Sequence, residues 1–546
     1  MRARAWISVG LLLVGAGLLA AAGFANPAQK KGGTLRISSV HDVDYLDPGL
    51  AYATDSWSLE FATCAELYSY PDKPGAEGTV LVPEVAVAFP AVSKDGRTVT
   101  IGLRRSYRFS SGAPVTAVNF VAAFNRDADP RLASPATQYM REIVGADAVI
   151  DGKAKSISGV RALGPYRLQI RTTRTVTDLL PRLALPFFCP IRVGLPPESV
   201  DDPLGSGPYH IASHVPNRQI VLERNRFYRG PRPANVDRIV WTFQAPESCR
   251  RAADRNEVDY CLFVPPEDVR QIVDRYGINR PNGRFFRNQA LLTYFFVFNH
   301  DRRSFRGTGQ IPLKQAINLV LDRHALALAT GYLSLKRADQ MLPGALGRDE
   351  HIYPLRGPSA QDVARARALE AKAKVKPEKL VLYTHLPGFK GVSAAWAQIF
   401  QFDLETKLGI DVEIKYFGSF SAFFKTVGTR GEPYDVLIDA WTPDYPEGAA
   451  YFVPLADGNN LKDRGNYNLS YFDRPKVNAE IQRIEGLTGD ARRKAWADLD
   501  VELMRNDPPW APFGIGTTAD YVSRSFGCYV FQPVYSSIDF AAACKK

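Results

Sequence analysis

The sequence predicts an α/β protein built from more than one domain. Its 546 residues exceed what a single hydrophobic core usually organises. The composition of 45% apolar and 23% charged residues is that of an ordinary globular protein. Between residues 380 and 441, predicted strands alternate with single helices, a pattern that builds a parallel sheet through right-handed crossovers.

The first half of the chain is rich in predicted strands and hairpins. A proline-rich passage from 181 to 208 is typical of a connection between subdomains. The other predicted elements are an opening strand at 33–38, hairpins around 94–97 and 164–165, a helix capped by Thr116, and a strand at 236–243.

The second half shows a more regular pattern and begins with the apolar strand at 292–298. The predicted helices are 311–324, a helix that starts with a capping box at Ser359 and Asp362, a helix carrying Trp396 and Phe400, and 420–427. The predicted strands are 380–384, 412–417 and 436–441, with a last one at 529–534 in a tail that we expect to return to the first half.

The stretch from 434 to 448, YDVLIDAWTPDYPEG, is the strongest candidate for a functional site. Its apolar run predicts a strand buried on both faces, which two prolines end, and Asp444 and Tyr445 lie on the loop that follows. Open α/β sheets bind ligands beyond the carboxyl ends of their strands, so Asp444 is a candidate ligand anchor. The same residues also allow a structural turn, in which Asp444 caps backbone amides and Trp441 belongs to the core.

Composition and motifs argue against nucleic-acid binding and against common enzymes. The net charge of +11 is spread without a basic patch interleaved with aromatic residues. The chain has no G-x-S-x-G, H-E-x-x-H or P-loop motif. His210 and His214 have metal-ligand spacing but lack the accompanying glutamate, so we expect surface histidines, no metal site and no cofactor. A secreted hydrolase with an unrecognised site remains the alternative of a different class.

The N-terminus has the layout of a secretory signal. Positive charge at Arg2 and Arg4 precedes an uncharged apolar stretch and small residues, which predicts a cleaved signal peptide at 1–25. An uncleaved membrane anchor at 6–22 is the competing interpretation. No cysteine precedes Cys64, so lipidation is unsupported and the expected location is periplasmic or extracellular.

An exported chain with six cysteines permits disulfides, but the sequence leaves their pairing open. Cys249 and Cys261 are the closest pair along the chain, followed by Cys528 and Cys544. No C-x-x-C is present, so redox catalysis is not expected.

An ordered set of motifs resembles the family 5 solute-binding proteins of ABC importers, over nearly the whole chain from Gly32 to Phe513. The set comprises GGTLR at Gly32, LDP at Leu46, ELYSY at Glu66, DGRTVTIGLRRSYRFSSGAPVTAVNFVAAFNR at Asp95, GSGPY at Gly205, LERNRFYRG at Leu222, NEVDY at Asn256, VFNHDRRSF at Val297, QAINLVLDRHAL at Gln315, LGIDVEIKYF at Leu408 and WTPDYPEG at Trp441. Each motif is weak alone, but their order is specific.

The resemblance implies a two-lobe periplasmic-binding-protein type II fold with an extra subdomain in lobe I. Lobe I would cover 26–289 with the subdomain at about 76–204, lobe II 290–511, and residues 512–546 would return to lobe I. The implied function is not enzymatic. A monomer would capture a peptide or peptide-like ligand and deliver it to an ABC permease and its ATPase subunits.

The resemblance also assigns the site. Asp444 matches the aspartate that holds the peptide α-ammonium in relatives, and Trp441 and Tyr445 lie beside it. Dipeptide-binding relatives carry an arginine after the strand that matches 380–384, where this chain has only His385 and Lys390. That departure leaves longer peptides open, as well as nickel chelates, haem and oligosaccharides. Tyr45 and Tyr139 are the expected contacts from lobe I.

Overall fold

The computed structural model describes residues 31–262, 264–385, 392–418 and 420–546. The predicted signal peptide at 1–25 and Lys390 lie outside these residues. None of the helices described is long and apolar enough to cross a membrane.

The strands of the described residues, numbered in chain order, are β1 (Thr34–Ser39), β2 (Tyr68–Ser69), β3 (Val82–Pro83), β4 (Ala91–Val92), β5 (Thr98–Gly102), β6 (Val160–Ala162), β7 (Arg167–Arg171), β8 (Tyr209–Val215), β9 (Gln219–Arg224), β10 (Arg238–Phe243), β11 (Tyr260–Cys261), β12 (Phe285–Phe298), β13 (Leu335–Arg337), β14 (Lys379–His385), β15 (Asp411–Phe417), β16 (Val436–Trp441), β17 (Trp510–Val522), β18 (Phe526–Gly527), β19 (Phe531–Gln532), β20 (Ser537–Ile538) and β21 (Cys544–Lys545).

The α-helices of the same residues are α1 (Thr54–Thr63), α2 (Ala117–Asp127), α3 (Ala146–Ile150), α4 (Leu179–Arg182), α5 (Pro246–Asp254), α6 (Pro266–Tyr276), α7 (Ile311–Val320), α8 (Arg323–Ala329), α9 (Ala360–Glu370), α10 (Ser393–Leu408), α11 (Phe420–Val427), α12 (Ala449–Ala456), α13 (Pro475–Glu485) and α14 (Gly489–Asn506).

One mixed sheet runs through the molecule in the order β15-β14-β16-β12-β17-β11-β1-β10-β9-β8, with β13 added beside β17. We call the part around β1 and β8 to β11 lobe I, and the part around β14 to β16 lobe II. The long antiparallel strands β12 and β17 lie between them and belong to both. The pairing of these two strands shifts register between Gln289 and Thr293, and again between Tyr294 and Phe295.

The parallel sheet predicted for the second half is confirmed in lobe II. β14 pairs in parallel with both β15 and β16. β16 is buried on both faces: Val436 and Ile438 belong to one hydrophobic cluster with Trp396 and Phe400 of α10, and Leu437 belongs to another. Prolines follow the strand directly, so β16 ends where its backbone can no longer continue the ladder. The loop after β16 therefore leaves a rigid, buried strand end.

Lobe I carries an additional four-stranded sheet, β4-β5-β7-β6, with a core of its own. The two predicted hairpins form its β4–β5 and β6–β7 pairs. Thr116 and Asn119 form a capping box at the start of α2, and Ser359 and Asp362 form another at α9, as predicted.

Two predicted elements are wrong. The single helix at 311–324 is broken into α7 and α8, because the N–H of Asp322 donates to Asp403 and the Asp322 side chain caps α8 at Ala325. The strand predicted at 529–534 is reduced to β19, which pairs with β20 in a short hairpin.

Three disulfides join Cys64 to Cys189, Cys249 to Cys261, and Cys528 to Cys544. The last closes a loop in the C-terminal tail, which packs on lobe I: the Tyr535 ring stacks on Phe61 and the Phe540 ring meets Trp241.

Candidate ligand-binding site

The loop that follows β16, residues 442–448, is fixed at both ends. At its start, the Trp441 indole N–H donates to the carbonyl oxygen of Ala450 at 2.7 Å. At its end, Gly448 lies so close to Trp496 of α14 that an added Cβ would overlap that side chain. Glu447 forms an ion pair with Arg492, also on α14. These contacts hold Asp444 and Tyr445 in a defined position.

Asp444 faces lobe I and is contacted from there by tyrosine. The Tyr52 hydroxyl donates to Oδ1 of Asp444 at 2.9 Å. Tyr139 is buried, and its hydroxyl interacts electrostatically with the same carboxylate. Tyr52 is itself positioned by Asp44, whose carboxylate accepts the N–H groups of Tyr52 and Ala53 at 3.0 and 2.9 Å.

Aromatic rings pack around Tyr52 in lobe I and beside Trp441 in lobe II. In lobe I, the Tyr52 ring centroid lies 5.8 Å from those of Trp57 and Phe187, and Phe187 lies 6.0 Å from Tyr139. In lobe II, Trp441 meets Tyr467 edge to face at 5.8 Å, and Tyr467 is largely exposed. Such ring faces attract cations.

The electrostatics of the site favour a positively charged partner. Burial raises the pKa of Asp444 above its usual value, and the hydroxyls of Tyr139 and Tyr52 offset part of that effect. Among the described residues, no lysine or arginine forms an ion pair with Asp444. A half-buried carboxylate without a cation is stabilised when an ammonium group enters with a charge-assisted hydrogen bond.

The other predicted site residues lie in different surroundings. Tyr445 is buried, and its hydroxyl donates to Asp178 of lobe I at 2.5 Å. Tyr45 is exposed on the turn that also holds Asp44. Tyr139, which the family resemblance suggested, lies near the Asp444 carboxylate. Lys390 is outside the described residues.

His385 lies at the end of β14 and is buried against the ring of Phe423 at 4.9 Å. Burial lowers its pKa, which favours the neutral imidazole at pH 7. A neutral ring is a poor partner for a ligand carboxylate.

The metal-ligating groups of the described chain do not converge on a metal site. No cluster of three histidine, cysteine or acidic residues suited to a metal ion occurs in the described ranges. His214 instead pairs with Asp42 at 2.9 Å.

Several residues of the site were missed by the sequence analysis: Tyr52, Trp57, Phe187, Tyr467 and Asp178. Tyr52 lies 392 positions before Asp444 in the chain, on an irregular segment ahead of α1. No periodicity or motif marks such a residue as a partner of a loop in the other lobe.

Comparison with known proteins shows which protein family the chain matches. The sequence profile described as "Bacterial extracellular solute-binding proteins, family 5 Middle" matches residues 80–463, well over half of the chain. The oligopeptide-binding protein OppA of Haemophilus influenzae is 25% identical over 461 residues, covering 79% of this chain and 78% of the relative. The murein peptide-binding protein MppA of Escherichia coli is 22% identical, covering 79% of both chains.

Solved structures share the fold. The clavulanic acid biosynthesis oligopeptide binding protein 2 superimposes with a TM-score of 0.82 at 24% identity, covering 95% of this chain and 96% of its own. MppA in its unliganded open form gives a TM-score of 0.76 at 20% identity, covering 95% and 99%. These matches confirm the predicted two-lobe fold.

Proposed function

Because the chain belongs to the bacterial extracellular solute-binding proteins of family 5, we propose that it captures a peptide through the peptide's free amino terminus and delivers it to an ABC importer. It is a binding protein of a transport system and not an enzyme. The names of its relatives, which bind oligopeptides, dipeptides and murein peptides, support a peptide ligand.

The observation that carries this proposal is the Asp444 carboxylate. It is half-buried, it accepts a hydrogen bond from Tyr52 of lobe I, and it has no ion-pair partner among the described residues. A peptide α-ammonium supplies the missing charge and two or three hydrogen-bond donors. Trp441 and Tyr467 offer ring faces to the same group.

The organisation of the chain follows from the same assignment. We place the boundary of lobe I after residue 289 and let residues 512–546 return to it; the register shift of β12 after Gln289 supports the first boundary. A cleaved leader at 1–25, a monomer, and the ATPase subunits of the importer complete the proposal.

Cargo identity is tested most directly by native mass spectrometry of the purified protein. We expect a bound mass in the range of short peptides. Calorimetry then compares trialanine with N-acetyl-trialanine, in which a neutral acetamide replaces the amino-terminal ammonium group. Binding of trialanine at least tenfold tighter supports the proposal. Equal affinity for both would contradict the role of the ammonium group.

A further inference from the structure

The two lobes contact each other directly at a second place, one residue beyond Asp444. The Tyr445 hydroxyl of lobe II donates to Oδ2 of Asp178 in lobe I at 2.5 Å. Tyr445 is 7% exposed and Asp178 is 4% exposed, so this bond is shielded from water. A hydrogen bond to a buried carboxylate is among the stronger ones in proteins.

A second hydrogen bond between the lobes is made by Thr177, the residue before Asp178. Nη1 of Arg492, on α14 of lobe II, donates to Oγ1 of Thr177 at 2.6 Å and to the Glu485 carbonyl oxygen at 2.7 Å. Arg492 also pairs with Glu447, so the guanidinium links lobe I to the end of the 442–448 loop. The four residues Thr177, Asp178, Tyr445 and Arg492 are called the polar clasp below.

The lobe I side of the polar clasp is held in place by further ion pairs. Arg182 holds the Asp178 carboxylate from the lobe I side, with Nε to Oδ2 at 3.0 Å, and Arg182 also pairs with Glu142 at 3.0 Å. Burial alone would raise the pKa of Asp178, but Arg182 and the Tyr445 hydroxyl hold it below its usual value. The acceptor therefore stays charged at neutral pH.

We propose that the polar clasp positions the Asp444 loop against lobe I independently of any ligand, so that Asp178, Thr177 and Arg492 are positioning residues for capture. The inference rests on the proposed function for its effect on affinity. Its structural part does not, because the two interlobe bonds join protein side chains directly. Since Tyr445 is covalently next to Asp444, the bond to Asp178 places the carboxylate opposite Tyr52.

The consequence differs from that of a ligand contact. A ligand favours joined lobes only by its differential affinity for that arrangement, and any contact made by the protein alone adds to the same equilibrium. Loss of the polar clasp therefore weakens every ligand by one common factor, whereas loss of the Asp444 charge weakens only ligands that bear an amine.

The test uses the full-length, ligand-free protein and hydrogen exchange measured by mass spectrometry. Tyr445→Phe removes one hydroxyl from lobe II, and Thr177→Val removes one from lobe I. We expect Tyr445→Phe to speed amide exchange across the gap, in segment 174–182 of lobe I, and Thr177→Val to do so in segments 443–450 and 489–494 of lobe II. Either variant suffices if the other folds poorly.

Tyr434→Phe is the matched control, because its buried hydroxyl donates to the Leu469 carbonyl oxygen within lobe II at 2.6 Å. In this control we expect faster exchange only within lobe II. The same confinement to the mutated lobe in Tyr445→Phe and Thr177→Val would overturn the polar clasp.

In calorimetry we expect Tyr445→Phe to weaken trialanine and trilysine alike, by about tenfold. Unequal loss for the two peptides would assign Tyr445 to ligand contact instead. If the wild-type protein binds neither peptide, the proposed function fails while the exchange experiment still decides the clasp.

Discussion

Replacing Asp444 by asparagine tests the site with the least change in shape. Asparagine keeps the side-chain volume and can still accept the Tyr52 hydroxyl, which lies 2.9 Å from Oδ1. What it removes is the negative charge. The expected loss is confined to ligands that place an ammonium group at this position.

The magnitude is the electrostatic gain of the ammonium–carboxylate contact minus the cost of desolvating the carboxylate. A charge-assisted hydrogen bond contributes about 1.5–3 kcal/mol net, and a charge pair at about 4 Å near a protein surface gains about 4 kcal/mol before desolvation. Desolvation is substantial here, because burial raises the pKa of Asp444. We therefore expect a net loss of about 2 kcal/mol, or roughly 30-fold weaker binding.

Calorimetry of trialanine at pH 7 measures this loss, with Asp349→Asn as a surface control, since Asp349 is exposed and pairs with the exposed Lys336. The wild-type affinity also falls on acidification, because binding needs the ionised carboxylate, and the fall begins above the pH expected for an ordinary aspartate. The Asp444→Asn variant lacks this step. A change of less than threefold in the variant would refute the reasoning.

Three further outcomes are expected. Asp439 is buried in β16, and burial raises its pKa to about 7. The folded protein therefore favours the protonated carboxyl, so its contribution to stability is complete below the unfolded pKa near 4 and is lost as pH rises through 7. Thermal unfolding of Asp439→Asn should therefore show a gain of up to about 4 kcal/mol at pH 8 and little at pH 4, and a gain independent of pH would be evidence against the shift. Cys64→Ser/Cys189→Ser should lose about 2–5 kcal/mol of stability and also weaken trialanine binding, because Cys189 is two residues from Phe187, whose ring contacts Trp57. Cys528→Ser/Cys544→Ser should leave the affinity for trialanine unchanged, and equal effects of both pairs on affinity would contradict this. Gly448→Ala should cost about 1–3 kcal/mol through overlap with Trp496. Gly418→Ala, whose added methyl group meets no atom of the described residues within 4 Å, should be neutral in the same melts.

The parts of the structure that were predictable are those set by local physics. The apolar run and the prolines around it determine β16 and its loop, and the capping boxes at Thr116 and Ser359 determine where α2 and α9 begin. The break between α7 and α8 was not predictable, because it depends on a hydrogen bond from Asp322 to Asp403, 81 residues away.

The candidate site divides in the same way. Asp444 and Trp441 were identified from the strand end that presents them. Tyr52 and Asp178 were not, because both become neighbours of the 442–448 loop only through the tertiary fold, at separations of 392 and 267 residues. Sequence reasoning locates the half of a site that one element carries, while the half supplied by a distant segment depends on packing that no local pattern records.

The pairing of β12 with β17 has a mechanical consequence. Two flexible linkers would allow the lobes many relative orientations. Capturing a ligand would then cost entropy, because only one of those orientations remains. A hydrogen-bonded antiparallel ribbon instead bends and twists as a unit, most easily where its ladder is already interrupted beside Gln289. We therefore expect motion of the lobes to follow the bending of this ribbon, so that the tyrosines of one lobe return to the same carboxylate of the other.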